Sequence, residues 1–226
     1  MAEDAVSVLI LAGGRSRRMG QDKIWMELDG RPLIEWVVRR VLPVAGEILL
    51  SANAPGRLAA FADSLRGQGV PSRIVADSFA GAGPLAGLHA GLSVARCELL
   101  LALAADMPFV SLALAARMIE LAPGFDAVVP QMPVSATAEP SWEPLHALYR
   151  RSCLPAIETR LAVGERQMTC FLPHVRTRAV TAEECDLLDP ARLSFFNVNT
   201  IEDWRAAQRL AAEHGLLATR DGEVWE

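Results

Sequence analysis

The 226-residue sequence lacks the apolar run of about 18 residues that a membrane-spanning helix needs, although 51% of its residues are hydrophobic, enough for a sizeable core. Its four cysteines (Cys97, Cys153, Cys170 and Cys185) form no Cys-x-x-Cys pair and no metal-ligand spacing with the histidines. Glu3 and Asp4 stand where a secretory signal would carry positive charge. These absences predict a globular protein of a reducing compartment, the cytoplasm, without membrane contact.

The chain also lacks a surplus of positive charge. Its formal net charge is −5, which argues against a broad nucleic-acid-binding surface. Positive charge is instead concentrated between Arg15 and Lys23, where three arginines and one lysine stand against the single acid Asp22. A local excess of this kind in an acidic protein suits a small polyanion.

Short apolar runs alternate with helical patterns along the first half of the chain. The runs at residues 6–11, 48–52, 73–76 and 99–104 read as buried strands, and the segments between them favour helices. We expect the first helix to begin at Arg31, with Pro32 in its first turn, and residues 132–144 to form a surface loop. This alternation predicts an α/β fold with a mostly parallel sheet and helices on both faces. We expect one domain over residues 1–214, closed by a helix over residues 200–213, and a loosely held tail over residues 215–226.

The segment after the first strand carries the strongest functional signal. It reads Leu11-Ala12-Gly13-Gly14-Arg15-Ser16-Arg17-Arg18-Met19-Gly20-Gln21-Asp22-Lys23. Ligands of open α/β sheets bind beyond the carboxyl ends of the strands, and Gly13 and Gly14 would let a phosphate or a base approach the backbone. Arg15, Arg18 and Lys23 can neutralise a triphosphate. The Walker and dinucleotide patterns both fail here, so the segment predicts a different type of nucleotide-binding enzyme.

Polar residues follow three further strands at the same predicted edge. Asp106 could hold Mg²⁺ together with substrate phosphates, or it could cap the helix that follows. Asn53 and Asp77 could bind the nucleotide, and Asp77 could accept hydrogen bonds from guanine; the alternative for each is an ordinary turn residue.

These motifs together resemble the molybdenum cofactor guanylyltransferase family. The resemblance rests on the loop up to Asp22-Lys23, Gly83-Pro84-Leu85-Ala86-Gly87-Leu88, Ala105-Asp106-Met107-Pro108, Glu143-Pro144-Leu145-His146-Ala147-Leu148-Tyr149 and Phe196-Asn197-Val198-Asn199-Thr200. The first motif alone is shared with many nucleotidyltransferases, whereas the whole set in this order is much more specific.

The resemblance implies a Rossmann-like nucleotidyltransferase fold that transfers GMP from GTP to the terminal phosphate of molybdenum-molybdopterin and needs Mg²⁺. It implies a nucleotide-binding half over residues 1–110 and a half for the pterin substrate over residues 111–214. Direct exchange with a molybdenum insertion protein and with molybdoenzymes is a further implication.

The implied site residues fall into three groups. Lys23, Arg18 and Asp106 would be catalytic, with Asp106 as the metal ligand; the nucleotide would contact Leu11, Ala12, Gly13, Gly14, Arg15, Lys23, Asn53, Asp77, Gly83 and Asp106; Asn197 and Asn199 would lie near the pterin. The competing interpretation is that Asn199 or Thr200 merely caps the last helix.

Three alternatives stay open. A cytidylyltransferase of the same cofactor would prefer CTP, although Gly13, where such enzymes tend to carry alanine, favours a purine. A sugar-phosphate or alcohol-phosphate nucleotidylyltransferase and a non-catalytic nucleotide-binding module are the others. His146 alternates with apolar residues and is expected to be a hydrogen-bonded structural histidine without a catalytic role.

Overall fold

The structure is a computed structural model that describes residues 5–12, 23–52, 56–77, 79, 82–133 and 140–214. The strands within them are β1 (Val6–Leu11), β2 (Glu27–Leu28), β3 (Arg31–Pro32), β4 (Ala45–Ser51), β5 (Ser72–Val75), β6 (Leu99–Ala104), β7 (Ala127–Met132), β8 (Ser141–Trp142), β9 (His146–Arg150) and β10 (Thr177–Val180). The α-helices are α1 (Leu33–Val41), α2 (Gly56–Gly67), α3 (Pro84–Val94), α4 (Leu112–Leu121), α5 (Leu154–Ala162), α6 (Ala182–Asp186) and α7 (Ile201–Glu213). In the described parts of the chain, no helix is long and apolar enough to cross a membrane.

One sheet runs through both halves of the chain in the order β10-β7-β9-β6-β1-β4-β5, with β8 paired to β7. The pairs β1–β4, β1–β6, β4–β5 and β7–β10 are parallel, whereas β9 lies antiparallel to both β6 and β7. The mostly parallel sheet predicted from the sequence is therefore confirmed. Its parallel strands share one carboxyl edge, at which β1, β4, β5 and β6 all end.

Strand β1 is buried on both faces, which explains its uninterrupted apolar sequence. Val6, Val8 and Ile10 belong to a core that includes residues of α1, α2 and α4. Leu9 and Leu11 belong to the opposite core, together with residues of α3 and α5. Because successive side chains of a strand point to opposite faces, helices cover the sheet on both sides, as expected.

A third, smaller apolar cluster lies under α7. It joins Leu28 and Trp36 to Phe109, Val198 and Ala207. Trp36 Nε1 also donates a hydrogen bond to the Leu28 carbonyl at 2.8 Å. The last helix therefore packs on the β2–β3 hairpin, on α1 and on the segment after β6.

Four details differ from the sequence prediction. The first helix begins at Leu33 rather than at Arg31, because Arg31 and Pro32 pair with β2. Strand β8 lies in a stretch that was expected to be loop throughout, although residues 134–139 of it are outside the described parts. Strand β10 and α6 were not expected. The closing helix is as predicted, with Thr200 as its N-cap.

Candidate active site

Backbone hydrogen bonds fix the carboxyl edge of the sheet around the end of β1. Ala12 N donates to Ser51 O at 3.2 Å, and Ala105 N donates to Leu11 O at 3.2 Å. On the far side of β4, Ala52 N donates to Val75 O at 3.0 Å. The segments that leave β1, β4, β5 and β6 therefore start from one rigid edge, which is where ligands of this class of sheet bind.

Lys23, Asp106 and Asn199 meet beyond this edge. The Lys23 ammonium group forms an ion pair with Asp106 Oδ2 and donates a hydrogen bond to Asn199 Oδ1 at 2.8 Å. The side chains of Lys23 and Asp106 are 17% and 14% exposed, so the pair is shielded but open to a ligand. Three residues that the sequence analysis selected from distant motifs thus form one cluster.

Asn199 contributes its side chain to this cluster rather than to a helix cap. The N-cap of α7 is Thr200, whose Oγ1 accepts from Asp203 N at 3.0 Å, while Asp203 Oδ2 accepts from Thr200 N at 2.8 Å. Thr200 and Asp203 therefore form a complete capping box. Because this box satisfies the helix start, the Asn199 side chain can hold Lys23.

Asp106 does not cap the following helix, which was the alternative to metal binding. The N-cap of α4 is Ser111, whose Oγ accepts from Leu114 N at 3.2 Å. The Asp106 backbone carbonyl accepts from Val198 N at 3.0 Å, which ties the β6 end to the Asn199 segment. The Asp106 carboxylate is thus held in place by its backbone and directed at Lys23.

The donor set fits a cation that arrives with the substrate, not a metal bound by protein groups alone. Among the described residues, no three His, Cys, Asp or Glu side chains are grouped so that they could hold a metal ion. Mg²⁺ commonly binds one or two carboxylates and completes its shell with substrate phosphates and water. The partly exposed Asp106 carboxylate meets that requirement.

Asp77 lies at the end of β5, next to the end of β4. Ser51 Oγ donates a hydrogen bond to Asp77 Oδ1 at 3.1 Å. Helix α3 comes close to the ends of β1 and β4 at Gly87. A Cβ atom at this position would lie 2.4 Å from Leu11 Cδ2 and 2.8 Å from Ser51 Oγ. Only glycine allows the helix to lie this near to the ends of β1 and β4.

Gly83 and Pro84 set the start of α3 at the same edge. Gly83 is the N-cap residue with φ +68° and ψ −152°, a conformation that side chains other than glycine rarely adopt. Pro84 follows in the first helical turn, where its missing N–H costs nothing. This local sequence explains why a helix begins beside Asp77.

Asn197 and His146 do not belong to the Lys23 cluster. Asn197 Nδ2 donates to Phe195 O at 3.2 Å. His146 is fully buried, and its ring packs against Phe195 in a tilted arrangement with 5.6 Å between the ring centroids. The predicted hydrogen bond of His146 is absent: within the described chain, neither ring nitrogen has a partner of good geometry. Burial lowers its pKa to about 4, despite the Ser194 backbone and the Asp189 carboxylate nearby.

Several predicted site residues lie outside the described residues. They are Gly13, Gly14, Arg15, Arg18 and Asn53, and the predicted tail over residues 215–226 lies outside as well. The other predicted site residues are described by the structure: Leu11, Ala12, Lys23, Asp77, Gly83, Asp106, Asn197 and Asn199.

Sequence reasoning missed two members of this edge, Ser51 and the role of Gly87. Ser51 ends an otherwise apolar strand run, so its polarity at a strand end was a usable signal. Gly87 lies in a helix interior, where glycine lowers stability and so indicates a close approach.

Known proteins resemble this chain in both sequence and architecture. The family described as MobA-like NTP transferase domain matches residues 8–178. A "Probable molybdenum cofactor guanylyltransferase" of Pelotomaculum thermopropionicum is 38% identical over 96% of this chain and 96% of its own length. A molybdenum cofactor guanylyltransferase of Pseudomonas fluorescens is also 38% identical, over 87% of this chain and 90% of its own length.

A solved structure agrees with these relatives. The molybdopterin-guanine dinucleotide biosynthesis protein A of Archaeoglobus fulgidus superimposes with a TM-score of 0.75 and 26% identity, covering 92% of this chain and 99% of that one. The family match spans most of the sheet and includes Lys23, Asp77 and Asp106. The chain is a nucleotidyltransferase and belongs to the MobA-like NTP transferase family.

Proposed function

We propose that this chain transfers GMP from GTP to the terminal phosphate of molybdenum-molybdopterin and releases pyrophosphate. The observation that carries the proposal is the meeting of Lys23, Asp106 and Asn199 beyond the carboxyl edge of the sheet. Relatives that share most of the chain's length are named for guanylyl transfer in molybdenum cofactor synthesis.

The reaction needs alignment and charge compensation rather than a general base. The second pKa of a phosphate monoester is about 6, so the attacking phosphate is already largely ionised near neutral pH. Two anions must nevertheless approach each other for the attack on the α-phosphorus. Fixed positive charge and correct positioning therefore supply most of the catalysis.

Lys23 is the described residue best suited to supply that charge. Its ammonium group is held by Asp106 and Asn199, so its position is set before the substrate arrives. Arg15 and Arg18 would add forked hydrogen bonds to the triphosphate, and Gly13 and Gly14 would bring backbone N–H groups close to it. Asp106 would hold a divalent cation, Mg²⁺ in this proposal, which when bound neutralises phosphate charge.

Asp77 is the proposed reader of the guanine base, with Asn53 as a second contact. A carboxylate can accept from both the N1–H and the amino group of guanine, and cytosine does not present that pair. The hydrogen bond from Ser51 Oγ fixes the Asp77 carboxylate, and Gly87 keeps α3 close to Ser51. Asn197 and Asn199 would face the pterin substrate.

The proposal also assigns the two substrates to the two halves of the chain and names the proteins that exchange them. Residues 1–110 would bind the nucleotide, and residues 111–214 would contribute most of the pterin site. Release of a labile product in the cytoplasm favours direct exchange with a molybdenum insertion protein and with molybdoenzymes.

Pyrophosphate release tests the proposal. The protein is given GTP or CTP with Mg²⁺, with and without molybdate-loaded molybdopterin. We expect release that depends on both GTP and the pterin. Preference for CTP would instead indicate a cytidylyltransferase, and no release with either nucleotide from folded protein would contradict nucleotidyl transfer to this acceptor.

A variant pair tests the base-reading role separately. Asp77→Ala should lower kcat/KM for GTP by about 10- to 100-fold, since a hydrogen bond to a charged group contributes about 1.5–3 kcal/mol, and should leave the low activity with CTP unchanged. Asp63→Ala removes the same charge from an exposed pair with Arg66 on α2 and serves as the control. An unchanged preference in Asp77→Ala would contradict base reading by this residue.

A further inference from the structure

The first turn of α7 lies directly behind the Lys23 cluster. Asp203 Oδ2 accepts two backbone hydrogen bonds, from Asn199 N at 2.9 Å and from Thr200 N at 2.8 Å. A capping box requires only the bond from the N-cap residue, Thr200. The additional bond holds the backbone of the residue whose side chain binds Lys23.

Asp203 is also coupled electrostatically to this cluster. Its pKa is lowered, chiefly by the hydrogen bond from the Asn199 backbone and in addition by the nearby charge of Lys23. Two carboxylates, Asp106 and Asp203, therefore act on Lys23 from different elements, one by direct contact and one through Asn199.

The next residue of α7, Trp204, holds the segment of the chain that follows Lys23. Trp204 Nε1 donates to the Glu27 carbonyl at 3.2 Å. Between Lys23 and Glu27 the chain makes a single 3₁₀ turn, in which Met26 N donates to Lys23 O at 3.1 Å. Trp204 therefore anchors the segment from which the Lys23 side chain extends.

We infer that Asp203 and Trp204 are positioning residues for Lys23: Asp203 fixes Asn199, which holds the ammonium group, and Trp204 fixes the segment that carries the Lys23 backbone. The two adjacent residues of one helix turn thus tie both ends of the lysine to the same rigid element. The aliphatic face of α7 packs on the third apolar cluster through Ala207 and Ala211, so this element is itself anchored.

The kinetic readout of this inference rests on the proposed guanylyl transfer. Asp203→Ala should lower kcat about tenfold and change the KM for GTP less than twofold, because loss of preorganised charge weakens the transition state more than ground-state binding. Asp203→Asn keeps an acceptor oxygen and should retain most of the activity. Trp204→Phe keeps the ring but not its N–H, and should lower kcat about threefold.

A double-mutant cycle separates positioning from a general loss of helix stability. If Asp203 acts through Asn199, Asp203→Ala should add almost nothing to the loss already caused by Asn199→Ala. Leu210→Ala weakens the packing of α7 far from the hydrogen bonds of its first turn and is the control. The inference would be overturned if the fall in kcat of the double variant equalled the product of the falls in the two single variants. It would also be overturned if Leu210→Ala had a kcat as low as that of Asp203→Ala at the same melting temperature.

A spectroscopic measurement keeps the test independent of any substrate. In wild-type protein without ligands, the amide hydrogens of Asn199 and Thr200 should exchange slowly, and the Lys23 Nζ signal should be resolved by ¹⁵N NMR. Asp203→Ala should accelerate both amide exchanges and shift the Lys23 signal, whereas Leu210→Ala should leave that signal in place. An unmoved Lys23 signal in Asp203→Ala would overturn the inference even if the proposed reaction itself were not observed.

Discussion

The two edges of the sheet carry similar charged groups with different surroundings. At the amino edge, Glu47 is 2% exposed and accepts from Ser7 Oγ at 2.7 Å, from Arg96 N at 2.6 Å and from Arg73 Nη2 at 3.1 Å. At the carboxyl edge, Asp106 is paired with Lys23, and both side chains are partly exposed.

The two acids differ in how their partners surround them. Hydrogen bonds from the strands and their connections enclose Glu47, so its charge is compensated within the fold and serves stability. The Asp106 carboxylate is paired with the Lys23 ammonium group, and its backbone carbonyl accepts from Val198 N in the segment before α7. The pair faces the region where ligands of such sheets bind. An ion pair by itself does not indicate function. Its location at the carboxyl edge of the sheet and its exposure to a ligand do.

The largest expected effect is at the carboxyl edge. Asp106→Ala should lower turnover by about 10²–10³-fold, as is typical when a preorganised electrostatic group is removed, and should leave the protein folded. Pyrophosphate release and a melting curve measure the two quantities, with Asp63→Ala as the charge-matched control. Turnover within threefold of wild type would remove Asp106 from the catalytic site.

The amino edge should respond in the opposite way. Glu47→Gln should lower the free energy of unfolding by about 1–3 kcal/mol, because a buried carboxylate that accepts three hydrogen bonds is replaced by an amide with one acceptor oxygen, while kcat per folded molecule stays the same. Chemical denaturation measures the loss. Glu120→Gln breaks an exposed pair with Arg117 and should cost about 0.5 kcal/mol or less; an equal loss in both variants would contradict the comparison.

His146 should make stability depend on pH. Its folded pKa is about 4, below the ordinary value of 6.5, because of burial. The unfolded chain therefore binds the proton more tightly, so this contribution is complete above pH 6.5 and declines as the pH falls toward 4. Between pH 7.5 and 5.0 we expect a loss of about 2 kcal/mol from this group.

Denaturant unfolding at the two pH values measures that loss, and His146→Leu serves as the reference because it removes the titrating ring. The variant should lose less stability on acidification than the wild type. The same pH dependence in both proteins would show that His146 does not contribute it.

The smallest effect is expected at Gly87, where α3 meets the carboxyl edge. Gly87→Ala should lower the free energy of unfolding by about 1–2 kcal/mol, since the added methyl group overpacks Leu11 and Ser51, and should raise the KM for GTP by displacing Ser51 from Asp77. Gly67→Ala is the control, because nothing lies within 4 Å of a Cβ atom there. A Gly87→Ala protein as stable as wild type would contradict the close approach.

Much of the fold could be predicted from the sequence because buried parallel strands have uninterrupted apolar sequences. Val6–Leu11 and Leu99–Ala104 were predicted with the bounds that the structure gives. The antiparallel direction of β9 could not be predicted, since the apolar pattern of a strand is the same in either direction. Strand β10 was missed because Thr177–Val180 carries polar residues on an edge strand, where little of it is buried.

The candidate site was predictable where a residue type and a strand end coincide. Asp106 was selected in this way and Lys23 from the basic segment that follows β1, and the two are in contact. Asn199 was ambiguous because the adjacent Thr200 is a strong N-cap signal, and only the three-dimensional arrangement separates the two roles. Asp203 and Trp204 gave no functional signal, because a capping acid and an amphipathic tryptophan are ordinary in a helix.

We propose that nucleotidyl transfer takes place at the carboxyl edge, beside the Lys23 ammonium group, whose charge stabilises the transition state. The most direct test measures the transfer of label from [α-³²P]GTP to molybdenum-molybdopterin by the wild type and by Lys23→Met, both shown to be folded. We expect the rate to fall by at least about 10²-fold in Lys23→Met. A labelled product formed at a rate within threefold of the wild type would contradict the account and place the chemistry elsewhere.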